Sequence, residues 1–246
     1  VLVKIDVKKQ IISAILVVTP GYIVEHFGKF GAPTIKHQLL VSHKMRTTIL
    51  KKKSPIYSKS DTKRVATIST KKYRPPTQNF NAIPEKGAVF SIDVLIDGVA
   101  KTLIGEKIEA NTTKNRGQAL ELMCIEKLGY SMPEKVLLDG GYPDIRNQLL
   151  EIKIQDTQTV DLGKYTPEIE ETVIPSLGIT TKDIRYFIAL MNKETNIIEG
   201  IIICPGAKLG KDFHYVDGVS GKCQRSIKMS FFEQYLGHSV FNPEES

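Results

Sequence analysis

The sequence predicts an α/β protein: a central mixed β-sheet flanked by helices, with a basic N-terminal region. Three observations predict it. Strand-like apolar or alternating segments at 149–154, 185–191 and 197–204 follow a segment of 3.6-residue periodicity around 111–128. The 246 residues are 41% apolar and 25% charged. That composition excludes wholesale disorder and suits one large domain or two small ones. Lastly, residues 1–90 hold 17 Lys and Arg against 4 Asp and Glu, a net of +13, whereas 91–246 hold 17 against 23, a net of −6.

Taken in order, 11–18 is an apolar run behind Lys4, Lys8 and Lys9. It is too short for a membrane span and lacks a small-residue cleavage site, so it predicts a buried strand or short helix. Pro20-Gly21, Gly28 and Gly31 punctuate turns, and the polar, proline-bearing stretch 51–88 reads as a loop-rich connector. Segments 88–96 and 99–104 flank Asp97-Gly98, a hairpin signal. A helix follows, capped at Asn111, Thr112 or Thr113 and stopped at Gly129, with Cys124 near its apolar face. Strands are expected at 135–138 and 149–154, a helix around 167–177, and a hairpin from 185–191 and 197–204. A strand or helix is expected at 226–236.

The basic stretch from Lys44 to Arg74 interleaves Lys and Arg with Ser and Thr. Cations and hydroxyls together suit phosphate oxygens; a solvated basic face with no partner is the alternative. No amphipathic stripe supports a membrane surface. Cys124, Cys204 and Cys223 form no framework or zinc pattern, which predicts reduced cysteines and a cytoplasmic location. The histidines show no HxH or HExxH spacing, and no GxGxxG or GKT/GKS sequence indicates a nucleotide cofactor. His214, near Asp212 and Tyr215, reads as an ordinary surface histidine.

The chemistry concentrates in the segment 139–155. On a strand, Glu151, Lys153 and Gln155 share one face and Leu150, Ile152 and Ile154 the other. If Asn147-Gln148 is a two-residue turn, Asp144 lies opposite Glu151, with Cβ atoms about 5 Å apart. Facing carboxylates call for a cation, and Mg²⁺ takes one or two carboxylates while keeping water and phosphate. Lys153 beside it would orient water or offset phosphate charge.

Pro143, Asp144, Glu151, Ile152 and Lys153 resemble the motif of the PD-(D/E)XK nuclease superfamily, which includes type II restriction endonucleases and Holliday-junction resolvases. The resemblance covers about 110–204. It implies a restriction-endonuclease-like core, Asp144 and Glu151 as metal ligands with the Ile152 carbonyl, and Lys153 as the catalytic lysine. Arg116 to Glu121 resembles an RGxxxE pattern seen there, which makes Glu121 a further catalytic candidate; Gln155 matches a recurring position. Asp156 and the stretch from Asp161 to Lys164 read as a polar loop, and neither Lys164 nor Tyr165 is assigned a contact with a substrate backbone. The implied function is a Mg²⁺-dependent endonuclease hydrolysing double-stranded DNA, a type II restriction enzyme acting as a homodimer. Residues 1–90 would contact DNA and 91–246 would form the nuclease core. A junction resolvase or repair nuclease is the alternative, and a non-catalytic DNA-binding protein is the alternative of another class.

Overall fold

A computed structural model describes residues 1–6, 9–28, 34–109, 113–131, 141–216, 220–222, 229–233 and 239–241. The chain forms two compact units.

The first unit comprises Val1–Ile35, Lys135–Gly140 and Gly221–Ser246. Here β1 (Leu2–Asp6) pairs antiparallel with β2 (Ile11–Val17), and Ser239–Phe241 pairs parallel with β2. The run at 11–18 is thus a strand. Its alternation buries Ala14 and Leu16 against Phe232, while Ile11 and Ile12 stay exposed. Pro20-Gly21 opens a helix, α1 (Pro20–Phe27), rather than a turn, because the Thr19 side chain accepts from the Tyr22 N–H at 3.1 Å. The tail element is helical at Met229–Glu233.

The second unit comprises Lys36–Glu134 and Gly141–Ser220. Residues 36–90, grouped with the basic region on charge, contribute to it. β3 (Thr34–Leu40) precedes α2 (His43–Leu50), and β4 (Ile56–Ser58) lies inside the expected connector. β4 enters the sheet because Ile56 to Ser58 pair parallel with Ile201 to Ile203. α3 (Lys63–Ile68) starts at Thr62, and the short strands β5 (Ser69–Thr70) and β6 (Val89–Phe90) pair parallel.

The expected hairpin about Asp97-Gly98 is a helix instead. α4 covers 92–103, with α-helical turns at Ile92–Leu95 and Lys101–Leu103 flanking a π-helical turn at Ile96–Ala100. Ser91 caps it, accepting from the Val94 N–H. Ile92, Leu95, Val99 and Leu103 are buried together at helical spacing, and Asp97 pairs with Lys101 at 2.7 Å. One buried stripe outweighs the local turn preference of Asp-Gly.

α5 (Thr113–Lys127) buries Leu120, Cys124 and Ile125. It stops where expected. Gly129 has φ +82°, and a Cβ there would meet the Tyr73 hydroxyl. The strand expected at 135–138 and the caps at Asn111 and Thr112 lie outside the described residues.

After a 3₁₀ turn at Arg146–Gln148 come β7 (Leu150–Gln155) and β8 (Thr159–Gly163). The expected helix at 167–177 is instead β9 (Thr172–Ile174) with a 3₁₀ turn at Pro175–Leu177, followed by β10 (Ile179–Thr180), its antiparallel partner. Pro175 fits the first position of that turn, and left-handed Gly178 ends it. β11 (Arg185–Met191) and β12 (Ile198–Pro205) form the expected antiparallel hairpin. α6 (Gly206–Asp212) and β13 (His214–Tyr215) follow.

The central sheet runs β4-β12-β11-β7, with parallel, antiparallel and parallel pairings in turn. It is the mixed sheet of an α/β protein. β3 pairs antiparallel with both β8 and β13. Leu39, Val160 and Leu162 of that second layer share a core with Tyr186, Ile188 and Ile202 of the first.

Candidate active site

The centre is built on β7 and the turn before it. Ile145 bridges antiparallel to Leu150, so the register that sets Asp144 opposite Glu151 is the expected one. The turn differs. It is a four-residue loop in which Arg146–Gln148 form a 3₁₀ turn and Leu149 takes a left-handed conformation with φ +51°. That costs on the order of 1 kcal/mol for a non-glycine residue. Hydrogen bonds with distant segments hold it. Gln148 Oε1 accepts from the Phe90 N–H at 2.9 Å, and Gln148 Nε2 donates to the Ala88 carbonyl at 3.1 Å. The Tyr130 hydroxyl donates to Asn147. Arg185, fully buried, donates to the carbonyls of Gln148 and Phe90. Sequence reasoning placed Asn147 and Gln148 in the turn but missed what holds them, and missed Arg185, because these contacts are with partners distant in the chain.

β7 is buried on both faces. Its parallel register aligns Glu151 with Tyr186, Lys153 with Ile188 and Gln155 with Leu190. Aligned residues point to one side, so the polar row continues the face of the main core rather than a solvent face. Leu150 and Ile152 are buried on the other side.

Asp144, Glu151, Lys153 and the Ile152 backbone converge. The Ile152 N–H donates to Asp144 Oδ2 at 2.7 Å, and the Asp144 N–H donates to Glu151 Oε2 at 3.2 Å. Lys153 Nζ pairs with Glu151 Oε1, donates to the Ile152 carbonyl at 3.3 Å, and stands 3.8 Å from Asp144 Oδ2. Glu121 comes from α5, which packs on β7, and lies within electrostatic reach of all three charged groups.

The electrostatics follow from crowding. Burial, then repulsion from Asp144, pushes the Glu151 carboxyl up to about 8. Burial, then Asp144 and Glu151, pushes Glu121 up to about 8. Asp144 is raised by burial, against Lys153 and the Ile152 N–H, which lower it. Burial alone would lower Lys153, but the Glu151 and Asp144 carboxylates overcome it and hold the ammonium above its ordinary range.

Among the described residues, no group of three or more His, Cys, Asp and Glu side chains is arranged to hold a metal ion. The donor set at the centre is two carboxylates and one backbone carbonyl, and an ammonium already rests among them. Hard oxygens around a cation fit Mg²⁺, which needs few protein ligands.

The remaining expected residues are placed apart from this point. Gln155 is buried, bonded to Arg46 and to the Thr157 carbonyl. Arg116 pairs with Asp156 at 2.8 Å and donates to Asn196 at 3.1 Å, while Asp161 pairs with Lys36 at 3.2 Å. The Cys124 thiol is fully enclosed and pushed above its ordinary range by burial, which does not suit a nucleophile. His214 is exposed, and Asp212 pairs with Lys59 at 3.3 Å. Within the basic stretch, Arg46, Lys59 and Arg64 are paired to Glu199, Asp212 and Asp183. Lys44, Lys51, Lys52, Lys53, Lys63, Lys71, Lys72 and Arg74 are exposed.

No family model matches the sequence, no curated protein is similar to it, and no solved structure matches its fold.

Proposed function

We propose that this chain is a Mg²⁺-dependent endonuclease that hydrolyses phosphodiester bonds in double-stranded DNA, of the PD-(D/E)XK type its motif resembles. One observation carries the reading: Asp144, Glu151, Lys153 and the Ile152 carbonyl meet at one point, with the Glu121 carboxyl in electrostatic reach. Asp144, Glu151 and the Ile152 carbonyl would hold the metal, which supplies charge stabilisation at phosphorus and a more acidic bound water. Lys153 is positively charged and close enough to orient a nucleophilic water or meet charge developing on a phosphate oxygen. Glu121, with its raised affinity for a proton, is suited to proton exchange with solvent beside that water.

The exposed lysines of 44–74 supply the cationic surface that a duplex requires. Cutting both strands of a symmetric site takes two centres, so the active form on this reading is a homodimer and the enzyme a type II restriction endonuclease. The test is incubation with unmethylated phage DNA with and without Mg²⁺, followed by sequencing of the fragment ends. Discrete metal-dependent fragments with one shared end sequence are expected. Selective cutting of four-way junctions would instead identify a resolvase, and DNA binding without cutting under any divalent ion would leave a non-catalytic DNA-binding protein.

A further inference from the structure

We propose that Lys164, held over the ring of Tyr165, binds a phosphate flanking the scissile one; this rests on the nuclease reading. The platform grows out of the centre itself. Tyr142 lies two residues before Asp144, and its hydroxyl lies 3.0 Å from that of Tyr186, the β11 residue aligned with Glu151. The Tyr142 ring stacks on that of Tyr165, with centroids 4.6 Å apart and planes 19° from parallel. Lys164 Nζ stands 5.1 Å from the Tyr165 centroid. β8 ends at Gly163, whose φ of +75° turns the chain, and its N–H donates to Asp161 at 2.9 Å. A fixed turn therefore presents Lys164 and Tyr165.

The chemistry of Lys164 differs from that of its neighbours. Lys36 and Lys153 are paired with carboxylates, and Arg116 with Asp156. Lys164 is exposed and, among the described residues, has no carboxylate within ion-pair distance. An aromatic face positions an ammonium without neutralising it. A cation without a carboxylate partner, held on an aromatic stack beside an acidic centre, suits a polyanion. It offsets the repulsion between phosphates and the carboxylates of Asp144, Glu151 and Glu121.

The experiment measures binding without cutting. In a Glu151→Gln background, fluorescence anisotropy follows a pool of random-sequence duplexes over a range of salt concentrations. Lys164→Ala should lower the slope of log affinity against log salt by about one, the signature of one lost phosphate contact. Lys164→Arg should restore it. Tyr165→Ala should weaken binding, and Tyr165→Phe, which keeps the ring, should not. Circular dichroism confirms that each variant is folded. A slope unchanged by Lys164→Ala, in protein that binds duplex, overturns this contact and leaves the nuclease reading intact. Failure of the parent protein to bind duplex at any salt concentration overturns both.

Discussion

Lys153 Nζ stands 3.8 Å from Asp144 Oδ2 while donating to the carbonyl of Ile152 at 3.3 Å. The ammonium thus lies among the oxygens that would receive a metal ion, and lysine and metal would compete for one negative pocket. Lys153→Met should abolish cleavage yet enlarge the rise in melting temperature on adding Mg²⁺. At a hundredfold excess over its dissociation constant, a bound ion adds about 2.7 kcal/mol. Differential scanning fluorimetry checks this, and an unchanged or smaller rise would separate Lys153 from the metal pocket.

Asp144→Asn and Glu151→Gln should each lower the cleavage rate by at least about a hundredfold, since each weakens the hold on the metal that would stabilise charge at the reacting phosphate. Duplex binding should survive in both. Single-turnover cleavage and anisotropy measure the two effects separately, and substantial cutting by either variant would remove that carboxylate from the chemistry.

Metal-free stability should fall as pH rises from about 5 towards about 8. The folded carboxyls of Glu151 and Glu121 titrate near 8, whereas the unfolded chain releases those protons in the ordinary glutamate range. Within this window the folded state binds more protons, so rising pH favours unfolding. Glu121→Gln should flatten the profile. Denaturant melts across this range test it, and a stability that rises between pH 5 and 8 contradicts the crowded-carboxylate picture.

Arg185→Met should destabilise the protein by about 3–5 kcal/mol, because it strands a buried carboxylate and two carbonyls. Arg185 Nη1 lies 3.8 Å from Asp61 Oδ1 and bonds to Phe90, and Nη2 bonds to Gln148. Chemical denaturation reads the loss. A change under 1 kcal/mol would show that the turn before β7 holds itself.

Gly98→Ala should stabilise the protein by about 0.5–1 kcal/mol. Gly98 lies inside α4, and an added Cβ there meets nothing within 4 Å. A hairpin turn at this position would make the same change destabilising, so the sign of the measured difference decides between helix and hairpin.

Much of the centre was legible because its signals are local. Alternation placed Glu151, Lys153 and Gln155 on one face of a strand, and the spacing of Asp144 and Glu151 set a register that holds although the turn is longer than expected. The β11–β12 hairpin and the stop of α5 at Gly129 were likewise readable, since apolar runs and left-handed glycines act within a few residues. What misled was also local. Asp97-Gly98 signals a hairpin in isolation, but Ile92, Leu95, Val99 and Leu103 are buried on one helical face.

By itself the sequence determined which residue types make up the candidate site, their spacing along strand and helix, and the basic character of residues 1–90. Only the tertiary structure decided that the polar row of β7 faces the main core, and that burial raises its carboxyls. It also decided that Arg185 and Phe90 brace the turn from afar through Gln148, and that β4 joins the central sheet. The physical reason is range: periodicity and turn chemistry act over a few residues. Burial, electrostatic crowding and satisfaction of buried polar groups depend on neighbours supplied by distant parts of the chain.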